Sequence, residues 1–182
     1  MQQSELSQTD RELVRGCLEN NRLVQRALYE RFSTRLFTLI YRLTGDHEAS
    51  NDILQDAFIE IFRSMAAFRF ESSLYTWMRT ITTRNAISYL NKNSRLQVVT
   101  DEIPDQPSES QYDFTAEHLE KAILSLPGQA RSVFILIEVE GYRHREVADI
   151  LNINEGTSKS QLNYAKKLLR QRLTKKADEQ KV

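Results

Sequence analysis

The sequence predicts an all-α protein: two small helical domains joined by a flexible acidic linker, the second a helix-turn-helix domain. Three observations lead there. Apolar residues recur at three- and four-residue spacing through both halves of the 182-residue chain, and no strand-like alternation persists. Glycine and proline are scarce, five and three, which favours helices over hairpins. From Leu96 to Glu120 the acids Asp101, Glu102, Asp105, Glu109, Asp113, Glu117 and Glu120 stand without a Lys or Arg, together with Pro104, Pro107, Ser108 and Ser110. No hydrophobic period continues through that stretch, as expected of a tether. The boundaries drawn are a first domain over 1–95, a linker over 96–115 and a second domain over 116–182.

The elements follow in order. Thr9 with Glu12 makes a capping box for a first helix. Leu23, Ala27, Leu28, Phe32, Leu36, Leu39, Ile40 and Leu43 form the apolar side of a second. After "TGDHE", Ala49, Ile53, Ala57, Phe58, Ile61, Phe62 and Met65 do the same for a third, and Leu74, Trp77, Met78 and Ile81 begin a fourth. Beyond the linker, Leu119, Ala122, Ile123 and Leu126 end at Pro127, and Ala130, Val133, Phe134 and Ile137 restart the pattern up to Gly141.

The stretch "EVADILNINEGTSKSQLNYAKKLLRQRL", from Glu146 to Leu173, fits a helix-turn-helix. Val147, Ile150 and Leu151 give a short helix its apolar side, and Ala148 is small enough for a second helix to cross close by. Asn152 stands where the turn needs a left-handed residue, and Asn154 can cap the next helix with Glu155 in its first turn. Leu162, Ala165, Leu169 and Leu173 face inward, which leaves Thr157, Ser158, Lys159, Ser160, Gln161 and Asn163 free to point outward. Short polar side chains there would let the backbone approach a DNA edge, with Gln and Asn pairing to adenine and Lys reaching guanine or phosphate. Lys166, Lys167, Arg170 and Arg172 would add attraction to phosphates. An ordinary amphipathic helix with a solvated basic face is the plainer alternative.

Formal net charge is zero, yet Tyr142 to Lys176 carries nine Lys or Arg against three acids, so nine minus three leaves +6 on one segment. The single cysteine, Cys17, cannot form an internal disulfide, the opening "MQQSELSQTD" lacks a signal pattern, and no run approaches the length of a membrane span. A cytoplasmic protein without membrane insertion is expected. His47, His118 and His144 have no metal-ligand spacing, and neither a Gly-rich phosphate loop nor a nucleophile elbow occurs. No metal, no cofactor and no catalytic residue is expected, so an enzyme is disfavoured.

Between the third helix and the linker, "FRFESSLYTWMRTITTRNAISYLNKNSR" mixes Phe68, Phe70, Tyr75, Trp77 and Tyr89 with Arg69, Arg79, Arg84, Lys92 and Arg95. Rings beside cations suit single-stranded nucleic acid, because bases stack while phosphates find charge. Most of the rings could equally be core, Trp77 especially, whereas Phe70, Glu71, Ser72 and Ser73 lie between helices.

"DILQDAFIEIFRSM", then "FRFESSLYTWMRTITTRNAISYL", an acidic linker and "LPGQARSVFILIEVEGYRHREVADILNINEGTSKSQL" together resemble an extracytoplasmic-function (ECF) sigma factor of bacterial RNA polymerase. The resemblance covers nearly the whole chain in the right order. It implies that Asp52 to Met65 docks on the clamp helices of the polymerase large subunit, with Asp52, Gln55, Asp56, Ile59 and Phe62 as contacts, although Ile59 and Phe62 could simply be core. It implies that the loop Phe68 to Leu74 and the helix through Asn85 bind the melted minus-ten element and capture an extruded base, through Phe70, Glu71, Ser72, Ser73, Trp77, Arg84 and Asn85. Arg145 to Tyr164 would read the minus-thirty-five duplex through Thr157, Ser158, Lys159, Ser160, Gln161 and Asn163, with Lys166 and Lys167 on phosphates. The acidic linker would thread the channel where nascent RNA later leaves, and the family admits an anti-sigma factor as a further partner. Ser158 stands for a usual Val, Gln161 for a usual Arg, Asn152 for a usual Gly, and "ENN" near Asn20 for a Gly-Asp turn, so the bases read by Ser158 and Gln161 do not follow from relatives. The rival reading is a stand-alone helix-turn-helix regulator, which would commonly carry an α/β receiver or a ligand pocket ahead of the DNA-binding unit.

Overall fold

A computed structural model describes the backbone of residues 2–96 and 116–179 and the side chains of 10–93 and 117–173. Every regular element among the described residues is helical, and the chain divides into two compact units, Met1–Leu90 and Asn91–Val182. The expected linker falls outside the described residues, save Leu96 at the end of a helix.

The first unit holds α1 (Gln2–Leu18), α2 (Arg22–Thr44), α3 (His47–Ser64) with a 3₁₀ turn at Met65–Ala67, and α4 (Leu74–Leu96) as far as Leu90. α1 starts well before the expected cap: residue 9 lies inside it, and an N-cap needs a non-helical backbone. No Gly or Pro interrupts residues 2–9, so nothing there stops the helix. Asn20 turns the chain in the left-handed region at φ 55°, and the Asn21 side chain accepts hydrogen bonds from the amides of Leu23 (3.0 Å) and Val24 (3.4 Å). The "ENN" tripeptide thus does what a Gly-Asp turn would do. A Cβ on Gly16 would lie 2.7–2.9 Å from three atoms of Val24, so α1 and α2 cross where only glycine fits.

Gly45, at φ 74°, ends α2 by donating to the Tyr41 carbonyl, and Asp46 caps α3 at the Ala49 amide (3.0 Å). α2 and α3 are therefore joined by a short turn and pack on each other. Leu28, Leu36, Leu39, Ile40, Leu43, Ile61, Met65, Leu74 and Met78 are fully buried. Each such side chain stabilises the unit by roughly 1.5–3 kcal/mol. The apolar stripe expected on α2 is misplaced at its start: Leu23 is 78% exposed and Ala27 is exposed too, because they lie on the outward side of α2 while the adjacent Val24 and Leu28 turn inward. Val24, not Leu23, faces α1 there.

The second unit holds α5 (Ala116–Leu124), α6 (Gly128–Phe134) running into a π-helical turn (Ile135–Val139), α7 (His144–Leu151) and α8 (Glu155–Glu179). Wide backbone bonds close the π turn, from the Glu140 amide to the Ile135 carbonyl (3.0 Å) and from the Tyr142 amide to the Leu136 carbonyl (2.9 Å). Ile135 and Leu136 are buried there while Ile137 is only half-buried, so the expected three-and-four spacing through Ile137 slips by a residue. α6, α7 and α8 pack around Ala130, Val133, Leu136, Val147, Leu162, Ala165 and Leu169. Arg131, whose burial lowers its pKa, donates to the Leu124 carbonyl at the end of α5 (2.7 Å).

Candidate nucleic-acid interfaces

On α3, Ala49, Ser50, Ile53, Leu54, Ala57, Phe58 and Ile61 face the core. The spacing then places Asp52, Gln55, Asp56 and Ile59 on one outward stripe, and all four are exposed. Ile59 keeps 47% of its surface in solvent, so it is no core residue. Phe62 is half-buried, its ring 6.0 Å from that of Phe58. The helix thus presents two carboxylates, an amide and an isoleucine together, a surface suited to a protein partner.

The loop "FRFESS" follows. Phe70 adopts φ 58°, where its Cβ crowds the backbone at a cost of about 1–2 kcal/mol, and its ring is 44% exposed. That ring sits 4.7 Å from Phe68, which in turn lies 5.2 Å from Trp77, and the Arg11 guanidinium stands 5.5 Å from its centroid. An exposed, strained aromatic held by a second ring and a cation is a ready surface for stacking a base. Trp77 is half-buried, Glu71, Ser72 and Arg84 are exposed. Ser73 is not free as expected: its Oγ accepts from the Thr76 amide (3.1 Å) and bonds the Thr76 hydroxyl (2.8 Å). It caps α4 because the chain enters the helix there with unsatisfied amides. Asn85 is half-buried, and its amide nitrogen reaches Glu60 on α3 (2.7 Å) and the Ile81 carbonyl (3.0 Å). Arg11 and Glu60 had no sequence signal, since each meets its partner only through the fold.

In the second unit Asn152 is left-handed (φ 53°, ψ 49°), and the Asn154 side-chain Oδ1 accepts from the Thr157 amide (2.7 Å) and hydroxyl (3.0 Å). α7 and α8 are thereby set as a helix-turn-helix. Ser158 departs from expectation: it is completely buried, 2.9 Å from His144 Nδ1. It shares its face with Leu162, Ala165 and Leu169, the buried face that packs on α6 and α7, so it cannot reach a base. His144 is half-buried as the other end of that bond.

Lys159, Ser160, Asn163 and Lys167 are exposed, and Thr157, Gln161 and Lys166 are half-buried. Tyr164, which no polar pattern singles out, is exposed on the same outer face. Lys159 bonds Glu155 (2.6 Å), and that hydrogen bond and charge hold the Glu155 carboxyl below its usual pKa. Lys166 pairs with Glu138 of the π turn (2.8 Å), and Arg172 bonds the Ser125 hydroxyl, so neither is a loose phosphate contact. Glu138→Gln should release Lys166 and tighten binding to duplex DNA of any sequence by roughly two- to fivefold at low salt. Lys167→Ala should weaken binding and flatten its salt dependence. Salt titrations of both variants check this, and an unchanged affinity in Glu138→Gln would remove Lys166 from the phosphate contacts.

Among the described residues no group of three or more His, Cys, Asp and Glu could hold a metal ion, and no helix is long and apolar enough to cross a membrane.

A family model described as Sigma-70 region 2 matches residues 28–96, and one described as Sigma-70, region 4 matches residues 116–169. The RNA polymerase sigma factor YlaC of Bacillus subtilis is 28% identical over 166 residues, spanning 85% of this chain and 95% of its own. The ECF RNA polymerase sigma-E factor of Haemophilus influenzae is 23% identical, spanning 91% and 95%. Among solved structures, the sigma factor RpoE of Bartonella quintana, in complex with the anti-sigma factor NepR, shares the fold with a TM-score of 0.58 at 22% identity, covering 82% of this chain and 96% of that one.

Proposed function

This chain belongs to the ECF sigma factors and serves promoter-specific initiation by RNA polymerase, and from that premise we propose how its surfaces divide the work. Residues 1–95 act as the domain that binds core polymerase and the minus-ten element, 116–182 as the domain that binds the minus-thirty-five element, and 96–115 as the acidic tether between them. Asp52, Gln55, Asp56, Ile59 and Phe62 meet the clamp helices. Phe70, Glu71, Ser72, Trp77, Arg84 and Asn85 meet the melted strand, with Ser73 holding the start of α4. Thr157, Lys159, Ser160, Gln161, Asn163, Lys166 and Lys167 face the duplex, and Ser158 supports them from inside.

The observation that supports this division is a coincidence of place. The region 2 match falls on most of the first unit and the region 4 match within the second, and each unit carries an outward polar surface of the chemistry its proposed target needs. A stand-alone regulator has no use for the exposed acid-and-isoleucine stripe of α3. The protein acts in the cytoplasm, where its polymerase and promoters are, and contributes binding rather than catalysis. Because the RpoE relative is seen with an anti-sigma factor, we include such a protein among the partners.

Transcription by purified core polymerase on genomic DNA, with and without this protein, tests the reading. Discrete new start sites are expected only in its presence. A regulator that depends on another sigma factor would give none.

A further inference from the structure

The Asn85 amide is held in one orientation by the chemistry of its neighbours. Its nitrogen has two hydrogens, and two acceptors stand ready for them: Glu60 Oε2 at 2.7 Å, across from α3, and the Ile81 carbonyl at 3.0 Å, one turn back on α4. A half-turn of the amide would set its own oxygen against a carboxylate and a carbonyl, both of which only accept. The bond to Glu60 is charge-assisted and joins residues 25 apart in sequence, so it fixes the side chain and not merely the helix. With both hydrogens engaged, the carbonyl oxygen is what Asn85 has left to offer.

We propose that Glu60 is a positioning residue for base selection: it locks Asn85 so that only a carbonyl oxygen faces the unpaired base, which favours bases with an amino group and disfavours thymine. This rests on the reading above that α4 through Asn85 meets the melted minus-ten strand. Adenine and cytosine each extend an amino hydrogen beyond the ring edge, as guanine does from its other side. Thymine has one ring N–H, flanked by two carbonyl oxygens that repel an approaching acceptor. A free asparagine would not discriminate in this way, because it could donate to a thymine carbonyl while accepting from the ring N–H. Glu60 also places a negative charge on a face that approaches phosphates, so it contributes selectivity while working against affinity.

Those two effects of opposite sign make the test. Holoenzyme is assembled from core polymerase and the full chain, and its affinity is measured for a pre-melted promoter carrying each of the four bases at each minus-ten position in turn. Wild type is expected to disfavour thymine by about tenfold at one position. Glu60→Ala should bring that ratio to within about twofold while overall affinity holds or rises, and Glu60→Gln, which still offers an acceptor to Asn85, should restore most of the discrimination. A purely structural Glu60 would instead lower affinity for all bases alike. If Asn85→Ala abolishes a preference that Glu60→Ala leaves intact, the positioning role is wrong and the minus-ten assignment stands. If Asn85→Ala changes no preference at any position, the assignment of Asn85 fails and the role of Glu60 falls with it.

Discussion

Asp56→Arg should bind core RNA polymerase on the order of a hundredfold more weakly than wild type, with its helical content and unfolding temperature unchanged. Asp56 lies on the outward stripe of α3 with Asp52, Gln55 and Ile59, away from the buried residues Ala57, Phe58 and Ile61, so reversing its charge disturbs no packing. At an interface the same reversal sets like charges against each other, which costs several kcal/mol. Asp52→Arg should act in the same direction, and Glu19→Arg, at an exposed acid in the turn after α1, serves as a control for bulk charge. Titration of fluorescently labelled chain with core enzyme measures it. Full affinity in a folded Asp56→Arg chain would move the polymerase contact to another surface.

The second large effect is expected at Phe70. Glycine there removes the ring and also relieves the left-handed backbone, so Phe70→Gly should leave the first unit at least as stable as before. On the proposed division duplex recognition needs only the helix-turn-helix, and closed complexes should form normally. Open complexes should fall by roughly ten- to a hundredfold, the loss of one base stacked on an aromatic face. A promoter pre-melted at the minus-ten element should recover part of the loss, since the base still lacks its platform. Permanganate reactivity of unpaired thymines alongside gel-shift binding separates the steps, and normal melting in this variant would leave Phe70 as packing for Phe68. This substitution is a cleaner probe than alanine at Glu71, Ser72 and Ser73 together, because Ser73→Ala would also remove the cap of α4, worth about 1 kcal/mol.

What the sequence made legible follows from how local each feature is. The left-handed turn at Asn152, the cap at Asn154 and the inward faces of α3 and α8 depend on residues within a turn or two, and all were readable as spacing. The π turn was not, because a wider backbone bond leaves no mark on composition. Leu23 misled because it and Val24 are both apolar, and spacing alone does not say which of two adjacent apolar residues turns toward α1. Ser158 misled differently: a small polar residue among other polar residues reads as surface, and its buried hydrogen bond to His144 joins positions 14 apart on two helices. Arg11 beside Phe70, Glu60 on Asn85 and Glu138 on Lys166 share that origin. Each is a polar or cationic contact made by folding, and such contacts have no period.

The buried Ser158 also bears on how a chain of this kind could change its promoters over time. Along the first turns of α8, residues that hold the fold and residues that face outward alternate: Ser158, Leu162 and Ala165 are locked inside, while Lys159, Ser160 and Asn163 are exposed between them. Substitution at the outer positions touches no core and costs little stability, so preference can drift there one residue at a time. Substitution at 144 leaves the fully buried Ser158 hydroxyl without its partner, whereas the half-buried His144 can still turn to water if Ser158 is lost. Position 144 is therefore the more constrained of the two, and on the proposed reading the freedom to acquire new targets is concentrated in the exposed residues of α8.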